Sequence, residues 1–195
     1  MATSATPNGA EPVNTLSASG SYSGKVRHMK VASAYNTAIF YGDFVKLVAA
    51  GTVEKAAVTT AVVAGTVGIF VGCSYTDPST SQLTFNQQYP ASTTASDIMA
   101  YVVDDPKIVL KMQGDEAIAQ TGLGNNISAV NTAGSTAIGR SKNALDGGSI
   151  ATTNSLPLRV LEFVEGPSST VGDAYTDCLV TYLPLSHAYE TKLGV

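Results

Sequence analysis

The chain has 195 residues, of which 44% are hydrophobic and only 13% charged, and its formal net charge is −4. That length buries one sizeable core, and the acidic balance excludes a nucleic-acid binder of the usual kind, which needs clustered Lys and Arg to meet phosphates. A surface so poor in charge is expected to be covered in part by other protein.

Residues 1–24 carry one charge, Glu11, with two prolines, three glycines and no apolar periodicity. Such an arm is disordered by composition alone. The expectation is an arm ordered by a neighbouring subunit; the alternative is that it ties down on its own domain as an edge strand. Lys25–Lys30 (KVRHMK) then mixes basic and apolar residues, and Lys25, Arg27, Lys30, Lys46 and Lys55 lie close in sequence, whereas residues 56–106 hold no Lys or Arg. This asymmetry suits docking on complementary protein surfaces. His28 reads as a half-exposed strand histidine.

From Ile39 to Asp77 the chain is a series of β-branched and aromatic runs, Ile39–Val48, Val58–Val63 and Val67–Tyr75, separated by Gly42, Gly51 and Gly65. These predict consecutive antiparallel strands. Neither face of the alternation is purely apolar, so both faces are expected to meet protein. Asp77-Pro78-Ser79 is a turn. In Ser81–Tyr89, Leu83 and Phe85 alternate with polar residues as in a one-sided strand. A Ser/Thr-rich loop over Pro90–Asp97 leads to strands at Ile98–Val103 and Ile108–Met112, parted by Asp104-Asp105-Pro106. Residues 114–149 read as a loop-rich insertion that meets something, with one or two helical turns over Asp115–Gln120 stopped by Gly122. Strands return at Leu156–Phe163 and Tyr175–Leu185, where Cys178, Val180 and Tyr182 share a face. The fold expected is mainly β, an antiparallel β-barrel or sandwich-like domain over 25–195 with an extended amino-terminal arm over 1–24.

The residues offer little chemistry. Asp104-Asp105 is an adjacent carboxylate pair, but neighbours on a strand point to opposite faces and Pro106 makes a turn. Gly122–Asn126 completes no phosphate-binding fingerprint. Cys73 or Ser74 with His28 or His187 lacks the strand-turn-helix elbow of a nucleophile, and His187 with Glu190 is two ligands short of a metal site. Neither an enzyme, a metal site nor a cofactor is expected. Cys73 and Cys178 are expected free and buried. Tyr75-Thr76-Asp77 recurs as Tyr175-Thr176-Asp177, by chance or as two similar strand ends. There is no signal-like segment and no apolar run of bilayer length, so the expectation is a protein made in a cytoplasm and held off membranes.

The run Ala64–Pro78 (AGTVGIFVGCSYTDP), then Leu83-Thr84-Phe85, Tyr89-Pro90-Ala91 and Ala100–Pro106 (AYVVDDP), and finally Gly172–Asp177 (GDAYTD) with Leu179-Val180-Thr181 and His187, resembles virion structural proteins of tailed bacteriophages, those taken as head decoration or cement proteins. The likeness covers most of residues 30–190 and leaves out the arm. It implies a mainly β protein on the outer face of a capsid, made in the host bacterium, bound to the major capsid protein and associated with its own copies, a trimer before a dimer. No catalytic residues come with it. On this reading the capsid-contact candidates are Pro7, Pro12, Val13, Leu16 and Tyr22 of the arm, with Lys25, Arg27 and Lys30 behind them. The alternative is a host-binding fibre module whose loops at 90–97 and 122–149 meet a cell-surface glycan, although those loops lack the aromatic rings on which sugars stack.

Overall fold

The computed structural model describes residues 4–17, 24–59 and 65–190. Among the described residues twelve strands run in chain order: β1 Glu11–Thr15, β2 Arg27–Lys30, β3 Phe44–Leu47, β4 Val53–Lys55, β5 Thr66–Thr76, β6 Leu83–Asn86, β7 Met99–Val103, β8 Ile108–Gln113, β9 Asn126–Val130, β10 Ala144–Ala151, β11 Leu158–Phe163 and β12 Asp177–Tyr182. They form two antiparallel six-stranded sheets, β1-β8-β12-β11-β9-β10 and β2-β7-β5-β3-β4, with β6 added to β5 in the second. The sheets pack as an open sandwich and do not close into a barrel.

The inter-sheet core takes Phe44, Ile69 and Val103 from the second sheet and Ile108, Leu110, Met112, Ile127, Leu158, Val160, Cys178 and Val180 from the first. A second apolar cluster lies on the outer face of the second sheet, where Val45, Phe70, Cys73, Ala100 and Val102 are roofed by Ile39, Tyr89, Ala95 and Ile98 from the segments flanking the strands. Ile39 and Tyr89 exchange backbone hydrogen bonds of 3.1 and 2.7 Å, and the Tyr89 hydroxyl donates to the Tyr35 carbonyl at 2.9 Å. The second sheet is therefore buried on both faces, which is why its sequence shows no clean alternation.

β5 serves both cores because its pleat is broken twice. Its register with β3 passes from Gly68 to Thr66 and skips Val67. Its register with β7 passes from Phe70 to Gly72 and skips Val71. Each extra residue turns the following side chains over. Val67, Phe70 and Cys73 consequently reach the outer cluster, while Ile69 and Val71 reach the inner one. At Gly68 a Cβ would lie 2.0 Å from the Val103 carbonyl oxygen, so the close approach of β5 and β7 requires glycine there.

Several expectations are corrected. The described part of the arm finds its partner in its own chain: β1 is the edge strand beside β8, and Thr6 N–H donates to the Gln113 side-chain carbonyl at 2.8 Å. The arm's order over residues 4–17 thus needs no neighbour. Residues 114–149 hold long loops between strands, and β9 and β10 take their place in the first sheet. Asp115–Ala119 is not helical; a single 3-10 turn spans Gln120–Gly122. Most of the run Val58–Val63 lies outside the described residues, and Val58 itself is off any strand but gives its carbonyl to Ala129 N–H at 2.7 Å. β4 was missed. The two Tyr-Thr-Asp triplets are not equivalent ends: one closes β5 and the other leads into β12.

Candidate interaction surface

β7 and β8 are joined by the turn Asp104–Lys107, and the outer strands of both sheets end against it. β2 pairs with β7 so that Arg27 stands opposite Val102, next to the turn. β1 pairs with β8 so that Thr15 stands opposite Ile108, on the turn's other side. The turn is pinned by its own carboxylates. Asp105 accepts the Lys107 N–H at 2.9 Å and the Thr15 hydroxyl at 2.8 Å, and Leu16 N–H donates to the Lys107 carbonyl at 2.8 Å. Asp104 is buried and accepts both the Arg27 guanidinium and, at 3.0 Å, the Tyr189 hydroxyl.

The last described segment closes this corner. His187 is buried, its Nε2 2.9 Å from the Val67 carbonyl and its Nδ1 accepting the Tyr189 N–H at 3.2 Å. Burial pushes the imidazole below its ordinary value, against the opposing pull of the Val67 carbonyl and of Glu190 and Asp104. Burial first, and then the bond to Asp104, pushes the Tyr189 phenol up. Asp104 raises the already high value of the exposed Arg27 guanidinium by hydrogen bond and charge. Lys107 pairs with Glu190 at 2.9 Å, and the Arg27 guanidinium lies 5.7 Å from the Tyr189 ring centre. The outcome is a fixed rim with Leu16 55% and Tyr189 47% exposed, Val26 exposed next to Arg27, and the Arg27 and Lys107 cations each paired with a carboxylate. No family model, curated protein or solved structure matches this chain.

Of the contact candidates, Leu16 and Arg27 meet at the turn, with Val13 along β1 and Lys25 just before β2, both exposed. Lys30 is exposed at the far end of β2, opposite Met99. Pro12 is half-buried opposite Leu110, a fit for proline because an edge strand spares its missing donor. Pro7 is half-buried and lines a cleft of about 300 Å³ with Gly114, Asp115 and Tyr175. Tyr22 lies outside the described residues. Val26, Lys107 and Tyr189 were missed, because only the fold brings them to the arm; the turn signal at Asp104-Asp105-Pro106 was visible but carried no hint of which strands end there.

The chemical candidates fall into structural roles. Cys73 and Cys178 are free, buried and in separate clusters, and burial pushes both thiols up to about 12. The Cys73 thiol donates to the Gln88 carbonyl at 3.4 Å, away from either histidine. His28 is exposed on β2 with its ring centre 4.7 Å from that of Tyr101. Gly122–Asn126 runs from a 3-10 turn into β9 and opens no helix. Asp115 and Glu116 of the exposed bend after β8 and half-buried Asp146 of β10 bring carboxylates within 4.8 Å of one another, a grouping that spacing in sequence did not reveal.

Proposed function

We propose that this chain is a capsid decoration protein that binds the outer surface of a tailed-phage head and bridges neighbouring major capsid subunits, with the Asp104–Lys107 corner as its docking surface. The observation that carries the reading is the convergence of exposed Leu16, Val26 and Tyr189 on the Asp104–Lys107 turn, held rigid by Asp104. Apolar anchors on a preformed surface, among cations already paired with Asp104 and Glu190, favour a large protein partner over a small molecule. The resemblance of the strand sequences to head decoration proteins supplies the shell as that partner.

Removal of the whole arm does not test this, because it strips β1 from the first sheet. The test is Leu16→Asp with Val26→Asp in the full chain. Expected are an unchanged thermal transition, loss of co-sedimentation with assembled heads, and heat resistance of the heads reduced to that of undecorated ones. Unchanged occupancy on the heads refutes the reading. A glycan-binding role has one observation in its favour: Tyr41, Phe85 and Tyr101, far apart in sequence, line a shallow trough of about 400 Å³. Reproducible binding on a glycan array, abolished by Tyr101→Ala, would select it.

A further inference from the structure

The sheet edges of this protein are guarded unequally. An edge strand offers unpaired backbone groups to any passing strand, and folded chains blunt it with charge, proline, a bulge or brevity. β1 has Pro12 and a register shift between Pro12 and Asn14. β2 has Arg27 and Lys30, β4 is three residues long with Glu54 and Lys55, and β10 has Asp146 followed by an irregular register. β6 has brevity alone. It pairs with β5 and nothing else among the described residues, and no charged residue occurs from Pro78 to Ser96. Leu83 and Phe85 are 62% and 70% exposed, the most exposed of the large apolar side chains described. Leu83 stands opposite Thr76 and Phe85 opposite Ser74, so both project from one face of the sheet and not into either core.

We propose that the outer edge of β6 is the contact between two copies of this chain, paired antiparallel about a two-fold axis through Thr84. The strand is complementary to itself in that register. Leu83 of each copy falls opposite Phe85 of the other, and Thr84 falls opposite its own counterpart. Slipping by one residue sets each apolar side chain against Thr84 or Asn86. Two chains of formal charge −4 repel at most of their surface, but the Pro78–Ser96 stretch brings no charge to the contact. The second sheet then runs unbroken through both copies, and its one unguarded edge is consumed. The pairing closes at two chains, which replaces the three-fold association expected from the sequence. It stands apart from the shell-binding reading, because β6 and the Asp104–Lys107 corner belong to different edges and can be disabled separately.

The experiment uses the full chain in five forms: unaltered, Phe85→Lys, Leu83→Lys, Thr84→Cys and, as the control, Thr94→Cys on an exposed loop. Sedimentation across a range of concentrations is expected to give a dimer for the unaltered chain. Each lysine variant is expected to raise its dissociation constant at least about ten-fold, with no change in the thermal transition measured at concentrations where every form is monomeric. Under mild oxidation Thr84→Cys is expected to yield a disulfide-linked dimer well ahead of Thr94→Cys, since Cys73 and Cys178 are buried and leave one accessible thiol. A monomer at every concentration, an oligomer indifferent to both lysine variants, or cross-linking of Thr84→Cys no faster than the control overturns the proposal.

Discussion

Replacing Asp43 by alanine is the sharpest test of how this sandwich is held together. Asp43 is fully buried at the entry to β3, and four donors are aimed at its carboxylate. Lys55 Nζ lies 2.9 Å from it and Phe40 N–H donates at 2.9 Å, while the Ser141 hydroxyl and the Asn143 side-chain amide donate at 2.7 and 3.2 Å. The last two come from the connection between β9 and β10, so one side chain ties the first sheet to the second. Its removal leaves the Lys55 ammonium, 11% exposed, without its counter-charge. Breaking a buried pair in this way costs about 3–5 kcal/mol, a large share of the total of about 5–15 kcal/mol that holds a domain. At about 2–4 °C per kcal/mol for a chain of this size, the midpoint falls by about 6–20 °C. Calorimetry reads this directly. The companion variant, Asp43→Ala with Lys55→Met, removes the stranded charge and is expected to recover at least about 1 kcal/mol. A loss below about 1 kcal/mol for Asp43→Ala, or a double variant less stable than the single one, refutes the charge-burial argument.

Two further outcomes follow from the packing of β5 and its neighbours. Gly68→Ala forces a methyl group to 2.0 Å from the Val103 carbonyl oxygen and is expected to abolish cooperative unfolding or soluble expression, whereas Gly51→Ala meets no atom and costs only the strain of its φ of 73°, about 1–2 kcal/mol; equal effects in a denaturant titration sink the close-approach account. His187 is held below its ordinary value of 6.5 in the fold, so the unfolded chain takes up its proton first and stability contributed by the neutral ring, complete above about pH 6.5, is lost as pH falls toward the folded value. Thermal midpoints are expected to drop from pH 7.5 to 5.5, with a shallower slope in His187→Gln; parallel slopes refute the assignment.

The strands that bury both faces were the legible part of this chain. Runs such as Val67–Tyr75, Ile98–Val103 and Tyr175–Leu185 are rich in β-branched and aromatic residues at strand length, and such runs have few other uses in a domain this size. What failed were inferences that needed a partner element. Asp115–Gln120 has a fair helix signature, but six residues lack the length to hold a helix unless tertiary contacts favour it, and here Asp115 is drawn into bonds with Leu145 and Gly147. Leu83 and Phe85 gave the alternation of a half-buried strand, yet the face they share lies beyond the inter-sheet core; pattern says which side chains stand together, not what they stand against. The corner at Asp104–Lys107 assembles segments near residues 16, 27, 107 and 189, a convergence that only topology supplies.

The strand order of the first sheet carries a consequence for how the chain is made. β12, the last of the described strands in chain order, sits between β8 and β11 in the middle of that sheet. A nascent or truncated chain that ends before Asp177 leaves those two strands with bare facing edges and the inter-sheet core open along its centre. Such an intermediate is primed to aggregate, so production of this protein is expected to depend on the integrity of β12 more steeply than on any surface loop.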